Sequence, residues 1–252
     1  MTTTPEQSYS WISRFAIEHV TSRTDLQTIQ EFPHDIWQKM GEAGFFKIGI
    51  APQYGGSGGG LTQLAGAGEV FVRSGYNMGI ALAWLYQQII ANRVISVYGN
   101  DKQRRQYLPL MAEGKLIASF AVSEPKHGAR PKLLTSTAVS EGNHYILNGE
   151  KTYLTNAPIA GLFIVIAITG EAEQQKKFSA FLVSDKDDGV VIKLRLKFDF
   201  LKPALHGGIK LNDCRVPASA MLGEKDTAYP NIVLPFSDAE NIVLMGAAAG
   251  GM

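Results

Sequence analysis

Residues 144–155 read His144-Tyr145-Ile146-Leu147-Asn148-Gly149-Glu150-Lys151-Thr152-Tyr153-Leu154-Thr155. Residues suited to a pleated surface lie in two short runs on either side of Asn148-Gly149, a turn signal. The same period of two continues outward, with Glu141-Gly142-Asn143 as a second turn signal and further candidate strands at 116–122, 135–140, 162–168, 178–183, 190–196 and 207–211. Short, evenly spaced strands predict a small antiparallel β-barrel or sandwich. Upstream of Lys115 the period is 3.6 instead: Trp11 with Phe15, and Ile36 with Met40, recur four apart. A helix follows Pro33, with Asp35 in its first turn and Gly41 and Gly44 weakening its end. Further helices are expected over 61–74 and 77–98, the second apolar around most of its circumference and therefore buried. Asn100 or Asp101 caps another helix that runs through Leu108. From about Tyr229 to Gly250 the pattern is helical again, and it stops at Gly251-Met252 with no cap. The expected fold class is α+β. An N-terminal α-helical domain (1–115) precedes the antiparallel β-domain (116–228) and the start of a C-terminal helical domain cut short (229–252).

Composition narrows the function. Of 252 residues, 24 are Lys or Arg and 23 Asp or Glu, so a formal charge of +1 provides no global field for nucleic acid or an anionic membrane. A single cysteine, Cys214, excludes an intrachain disulfide, and five scattered histidines offer no paired metal spacing. A reducing, cytoplasmic setting is expected. The stretch from Met1 to Glu18 lacks the layout of a signal peptide, and no apolar run reaches the ~20 residues of a membrane span.

Several chemical readings fail on spacing. The run from Gly55 to Gly60 matches neither nucleotide-loop pattern and lies between helices, so it reads as a tight interhelical loop. There is no G-x-S-x-G elbow, and Cys214 has no neighbouring histidine and reads as a packing thiol. The mixed-sign segments 171–177 and 185–188 read as solvated hairpin tips.

Four segments, in order, carry a more specific signal: Ala51-Pro52-Gln53-Tyr54-Gly55-Gly56-Ser57-Gly58; Phe120-Ala121-Val122-Ser123-Glu124-Pro125; Leu147-Asn148-Gly149-Glu150-Lys151-Thr152-Tyr153-Leu154-Thr155-Asn156; and Asp213-Cys214-Arg215-Val216-Pro217. Together they resemble the acyl-CoA dehydrogenase family over essentially the whole chain. The resemblance implies FAD and removal of hydrogen from the α and β carbons of an acyl-CoA or other acyl thioester, with an electron-transfer acceptor and a homo- or hetero-oligomer. It implies flavin contact for Phe120, Val122, Ser123, Tyr153 and Thr155. Each of these also suits an ordinary strand position.

The chain departs from the family at three places. After Glu124-Pro125 the usual Gly-Ala-Gly-Ser-Asp is replaced by Lys126-His127-Gly128-Ala129-Arg130, which puts Ala129 at the substrate-binding serine. Lys126, His127 and Arg130 either grip a CoA phosphate or form a solvated loop. The family's Gly-x-Arg segment appears as 200–206, with Lys202 in place of the guanidinium fork. The catalytic base of most members lies beyond this chain, and Glu240 matches the position that a minority use, with Asp238 matching a substrate-binding aspartate. Glu240 is either that base or a solvent-facing helix residue. The alternatives to a dehydrogenase are a flavin-free acyl-binding or assembly subunit and an inactive fragment.

Overall fold

The structure, a computed structural model, describes residues 9–196, 198 and 200–252. The opening residues 1–8 of the polar N-terminal stretch lie outside the described residues. Among the described residues five helices come first: α1 (Ser10–Ala16), α2 (His34–Ala43), α3 (Leu61–Gly75), α4 (Met78–Ile89) and α5 (Asp101–Ala112). Gly44 ends α2 in the left-handed conformation, as its position suggested. Asn77 caps α4 by accepting from the Ile80 N–H at 2.9 Å, and every residue from Gly79 to Ile89 is buried. The helix continues through a widened turn (Ile90–Ile95) to Tyr98, which fits the expected extent. Asn100 and Gln103 cap α5 reciprocally, and α5 runs past Leu108 with Pro109 inside it. In the 55–60 loop the N–H groups of Ser57, Gly58 and Gly59 donate inward to the carbonyls of Lys47, Ile50 and Ile48. They are used up by packing and do not face a phosphate.

Eight strands follow among the described residues: β1 (Ala118–Ala121), β2 (Thr137–Glu141), β3 (His144–Thr155), β4 (Leu162–Ala172), β5 (Gln175–Ser184), β6 (Val190–Leu196), β7 (His206–Pro217) and β8 (Met221–Leu222). Their order is β6-β7-β3-β2-β4-β5-β8, with β1 beside β4. The β-domain is thus present, but the sheet is mixed: β4 pairs in parallel with β1 and with β2, and the other pairings are antiparallel. Asn148-Gly149 does not turn the chain. It forms a bulge within β3, opposite the step from Cys214 to Leu211 in β7. A Cβ on Gly149 would lie 2.5 Å from the Ser136 Cβ, so glycine makes room for Ser136.

Period-two alternation divides the sheet between two cores. Ile164, Ile166, Ala180 and Leu182 join the helices in one core, whereas Phe163, Val165, Phe181 and Val183 pack with Ile209, Leu211 and Cys214 in the other. Cys214 is fully buried and burial pushes its thiol up to about 11, which suits a packing residue. A widened turn (Tyr229–Val233) leads into α6 (Leu234–Ala249), which packs on α3 and α4. Gly246 permits close approach there, since a Cβ would lie 2.6 Å from the Ala65 carbonyl oxygen. By length and composition Tyr229–Ala249 could cross a membrane; here Phe236, Ala239, Val243 and Ala247 are buried in the first core.

One buried ion pair ties these pieces together. Lys151 and Glu124, 0% and 2% exposed, meet at 2.9 Å. The Glu124 carboxylate also accepts from Thr135 N–H and Oγ1, both at 2.7 Å, and from Ser136 N–H and Oγ at 2.9 and 2.6 Å. Lys151 Nζ donates in addition to the Val122 carbonyl at 3.0 Å. Burial pushes the Glu124 carboxyl up, but Lys151 and Ser136 outweigh it and hold the group below the usual carboxylate range. Removing one partner of such a pair strands the other. Glu124→Gln is expected to lose about 3–5 kcal/mol in urea unfolding. Lys151→Met should lose less, because Glu124 keeps its four donors from Thr135 and Ser136. Equal losses would contradict this account of the network.

Candidate active site

β1, β3, α4 and α6 converge on a cleft of about 190 Å³. The sheet contributes Phe120, Val122, Ser123, Tyr153 and Leu154, and α4 contributes Tyr86. The turn before α6 and its first two turns contribute Tyr229, Val233, Leu234, Phe236, Ser237 and Glu240, and Ala129 stands at the rim. The convergence follows from the fold. β1 and β3 are pinned side by side by Lys151 across Val122 and Glu124, and by the Thr152 N–H donating to the Ser123 carbonyl at 2.9 Å. Phe236 closes the cleft by stacking on Phe120, with ring centroids 4.2 Å apart and an interplanar angle of 26°.

Tyr153 has an unusual backbone. Its φ of 59° lies in the left-handed region, which an aromatic residue adopts at a cost of order 1–3 kcal/mol. This interrupts the alternation of β3, so that Leu154 is buried while the Tyr153 ring is 60% exposed at the cleft. Beside it, the Ser123 hydroxyl has no hydrogen-bond partner among the described residues. An exposed aromatic face, a free hydroxyl and the apolar Phe120 and Val122 are a surface that fits a flat heteroaromatic ring. Thr155, expected in the same group, is buried at the end of β3 opposite His206 and does not line the cleft; its carbonyl accepts from Ser119 Oγ at 2.7 Å.

Glu240 faces the cleft from α6. Burial raises its carboxyl above the usual range, and no hydrogen bond or ion pair reaches it among the described residues. Tyr86, opposite it on α4, is kept protonated: burial first, and the negative charge of Glu240 second, push its phenol up. Asp238 is exposed and is not part of the lining; Arg130 is exposed next to Ala129. Sequence reasoning singled out neither Tyr86, Phe236 nor the Glu124–Lys151 pair. For Lys151 a signal existed, because it continues the buried parity of Tyr145 and Leu147.

The raised carboxyl has a consequence for stability. A glutamate whose folded-state pKa exceeds its unfolded value of ~4.3 costs stability as pH rises through the folded value. Glu240→Gln should therefore be more stable than the unaltered protein at pH 7, and this gain should vanish below about pH 4. Thermal unfolding at both pH values measures it; a loss of stability at pH 7 would mean that Glu240 is held by favourable contacts.

The acyl-CoA dehydrogenase N-terminal domain family matches residues 3–115, and the acyl-CoA dehydrogenase middle domain family matches residues 119–202. Acyl-CoA dehydrogenase FadE12 of Mycobacterium tuberculosis is 26% identical over 240 residues, which are 95% of this chain and 60% of that protein. Mitochondrial isovaleryl-CoA dehydrogenase of Pongo abelii is 29% identical over 246 residues, 96% of this chain and 57% of that protein. The structure of the FAD complex of PigA superimposes with a TM-score of 0.87 at 27% identity, covering 100% of this chain and 66% of that one. The chain thus spans about 60% of the length of the curated relatives it matches. With two successive domain families matched over most of its length, and the helices and mixed sheet of those domains in place, the chain belongs to the acyl-CoA dehydrogenase family.

Proposed function

We propose that this chain takes part in the flavin-dependent α,β-dehydrogenation of an acyl thioester, with FAD held along β1 and β3 and Glu240 as the base. The reading rests on Glu240. A carboxylate with no partner among the described residues, raised above the usual range by burial and facing a small, mostly apolar cleft, is suited to accept a proton from carbon. The α-proton of a thioester becomes removable when the base is placed against it and the developing oxyanion is held by donors. Tyr86, protonated at neutral pH, and Ser237 supply hydroxyl donors in the same cleft.

Tyr153 would cover the flavin ring with its exposed face, Ser123 would donate to its edge, and Phe120 and Val122 would form the wall behind it. When bound, FAD accepts the hydride from the β carbon. Loss of a proton from Cα to Glu240 and of a hydride from Cβ leaves the double bond, and the two electrons must then pass to an external acceptor. The relatives named above act on acyl-CoA or bind FAD according to their names, which supports the same reading for this chain.

The direct test is the visible spectrum of the purified chain after mixing with FAD and desalting, followed by addition of butyryl-CoA. Retained yellow colour that bleaches with the thioester is expected; colourless protein that still binds the thioester would favour the flavin-free alternative. Glu240→Gln should keep the colour and slow bleaching by about 10²- to 10⁴-fold. Unchanged bleaching would remove Glu240 as the base.

A further inference from the structure

The buried helix α4 carries two adjacent amides, Gln87 and Gln88, both 0% exposed. A buried amide is tolerated when its donor and acceptor are paired, and each of these is, but with different parts of the molecule. Gln88 Nε2 donates to the Phe46 carbonyl at 3.0 Å, and its Oε1 accepts from the Gly49 N–H at 2.9 Å. Those bonds stay within the helical domain. Gln87 crosses to the sheet: its Nε2 donates to the Leu116 carbonyl at 2.6 Å, and its Oε1 accepts from the Ala118 N–H at 2.8 Å. Leu116 and Ala118 flank Ile117, so the side chain bonds the start of β1 as a neighbouring strand would.

A second crossing lies one helical turn away. Asn156, buried just after β3, donates from Nδ2 to the Ala83 carbonyl of α4 at 2.9 Å and from its backbone N–H to the Leu205 carbonyl at 2.8 Å. Two directional ties at Ala83 and Gln87 fix both the distance and the rotation of α4 against β1 and β3. Tyr86 lies between these positions in the chain and lines the cleft. Its ring meets that of Phe236 edge to face at 5.3 Å, and Phe236 belongs to α6, the helix that carries Glu240.

We propose that Gln87 and Asn156 are positioning residues for the dehydrogenation: their amides hold the wall that carries Tyr86, and through Phe236 the helix that carries Glu240, at a set distance from β1 and β3. This rests on the function proposed above. The Glu124–Lys151 pair joins β1 to β3 but does not reach α4, so the opposite wall depends on the two amides.

The test compares Gln87→Met, Gln88→Met and Asn156→Gly in the full chain. Each methionine variant removes two buried hydrogen bonds, and the two should lose similar thermal stability. Asn156 has a φ of 65°, which glycine adopts freely, so Asn156→Gly removes the side-chain bond and keeps the backbone. With FAD and butyryl-CoA, Gln87→Met and Asn156→Gly should bleach about tenfold or more slowly, and Gln88→Met should bleach at the unaltered rate. A readout without activity is the change in melting temperature caused by Glu240→Gln at pH 7, measured in each background. It should shrink where α4 is released and water reaches Glu240, as in Gln87→Met and Asn156→Gly, and persist in Gln88→Met. If Gln87→Met does not fold, Asn156→Gly carries both comparisons. Bleaching slowed as much in Gln88→Met, or an equal Glu240→Gln effect in every background, overturns the proposal. If the unaltered protein does not bleach, the dehydrogenase reading fails, and the Glu240→Gln comparison still decides whether the two amides hold the cleft.

Discussion

The buried contact between Glu124 and Lys151 is the constraint on which the cleft depends. Two opposite charges removed from water are stable only if every lone pair and proton is satisfied, and here the carboxylate accepts five hydrogen bonds from Thr135, Ser136 and Lys151. Those bonds join three pieces of backbone that are distant in sequence: the exit of β1, the start of β2 and the middle of β3. Because Lys151 also reaches the Val122 carbonyl, the residues on either side of the pair, Val122 with Ser123 and Tyr153, are held along one wall. The same network fixes the root of the loop after β1, since the Glu124 backbone pairs with Gly128.

The two glutamates show how environment divides roles. Glu124 is held below the usual range because donors and a cation surround it, whereas Glu240 is raised because it is buried with neither among the described residues. The first is fit to remain charged and structural. The second is fit to exchange a proton. Tyr86 completes the contrast, since the field of Glu240 adds to burial in keeping its hydroxyl protonated.

Much of the fold was legible because its signals are local. The change of period near Lys115, the cap at Asn100, the helix end at Gly44 and the hairpin at Gly142 each follow from a few neighbouring residues. Asn148-Gly149 misled for the same reason: the dipeptide favours a turn, but pairing with β7 on both sides turns it into a bulge. Parallel pairing of β4 with β1 and β2 left no local trace, as it joins strands far apart in sequence. In the site, Phe120, Val122, Ser123, Tyr153, Ala129 and Glu240 do share one cleft, whereas Thr155 and Asp238 do not line it. Tyr86 and Phe236 escaped notice because an aromatic residue on an apolar helix carries no mark of the cavity it closes.

Residue-resolved hydrogen exchange on Glu124→Gln tests the central claim most directly. If the buried pair holds the cleft wall, the amides of Thr135, Ser136 and Thr152 should lose protection while those in the middle of α4 keep theirs. Protection unchanged at those three amides, or lost to the same degree throughout α4, would contradict it.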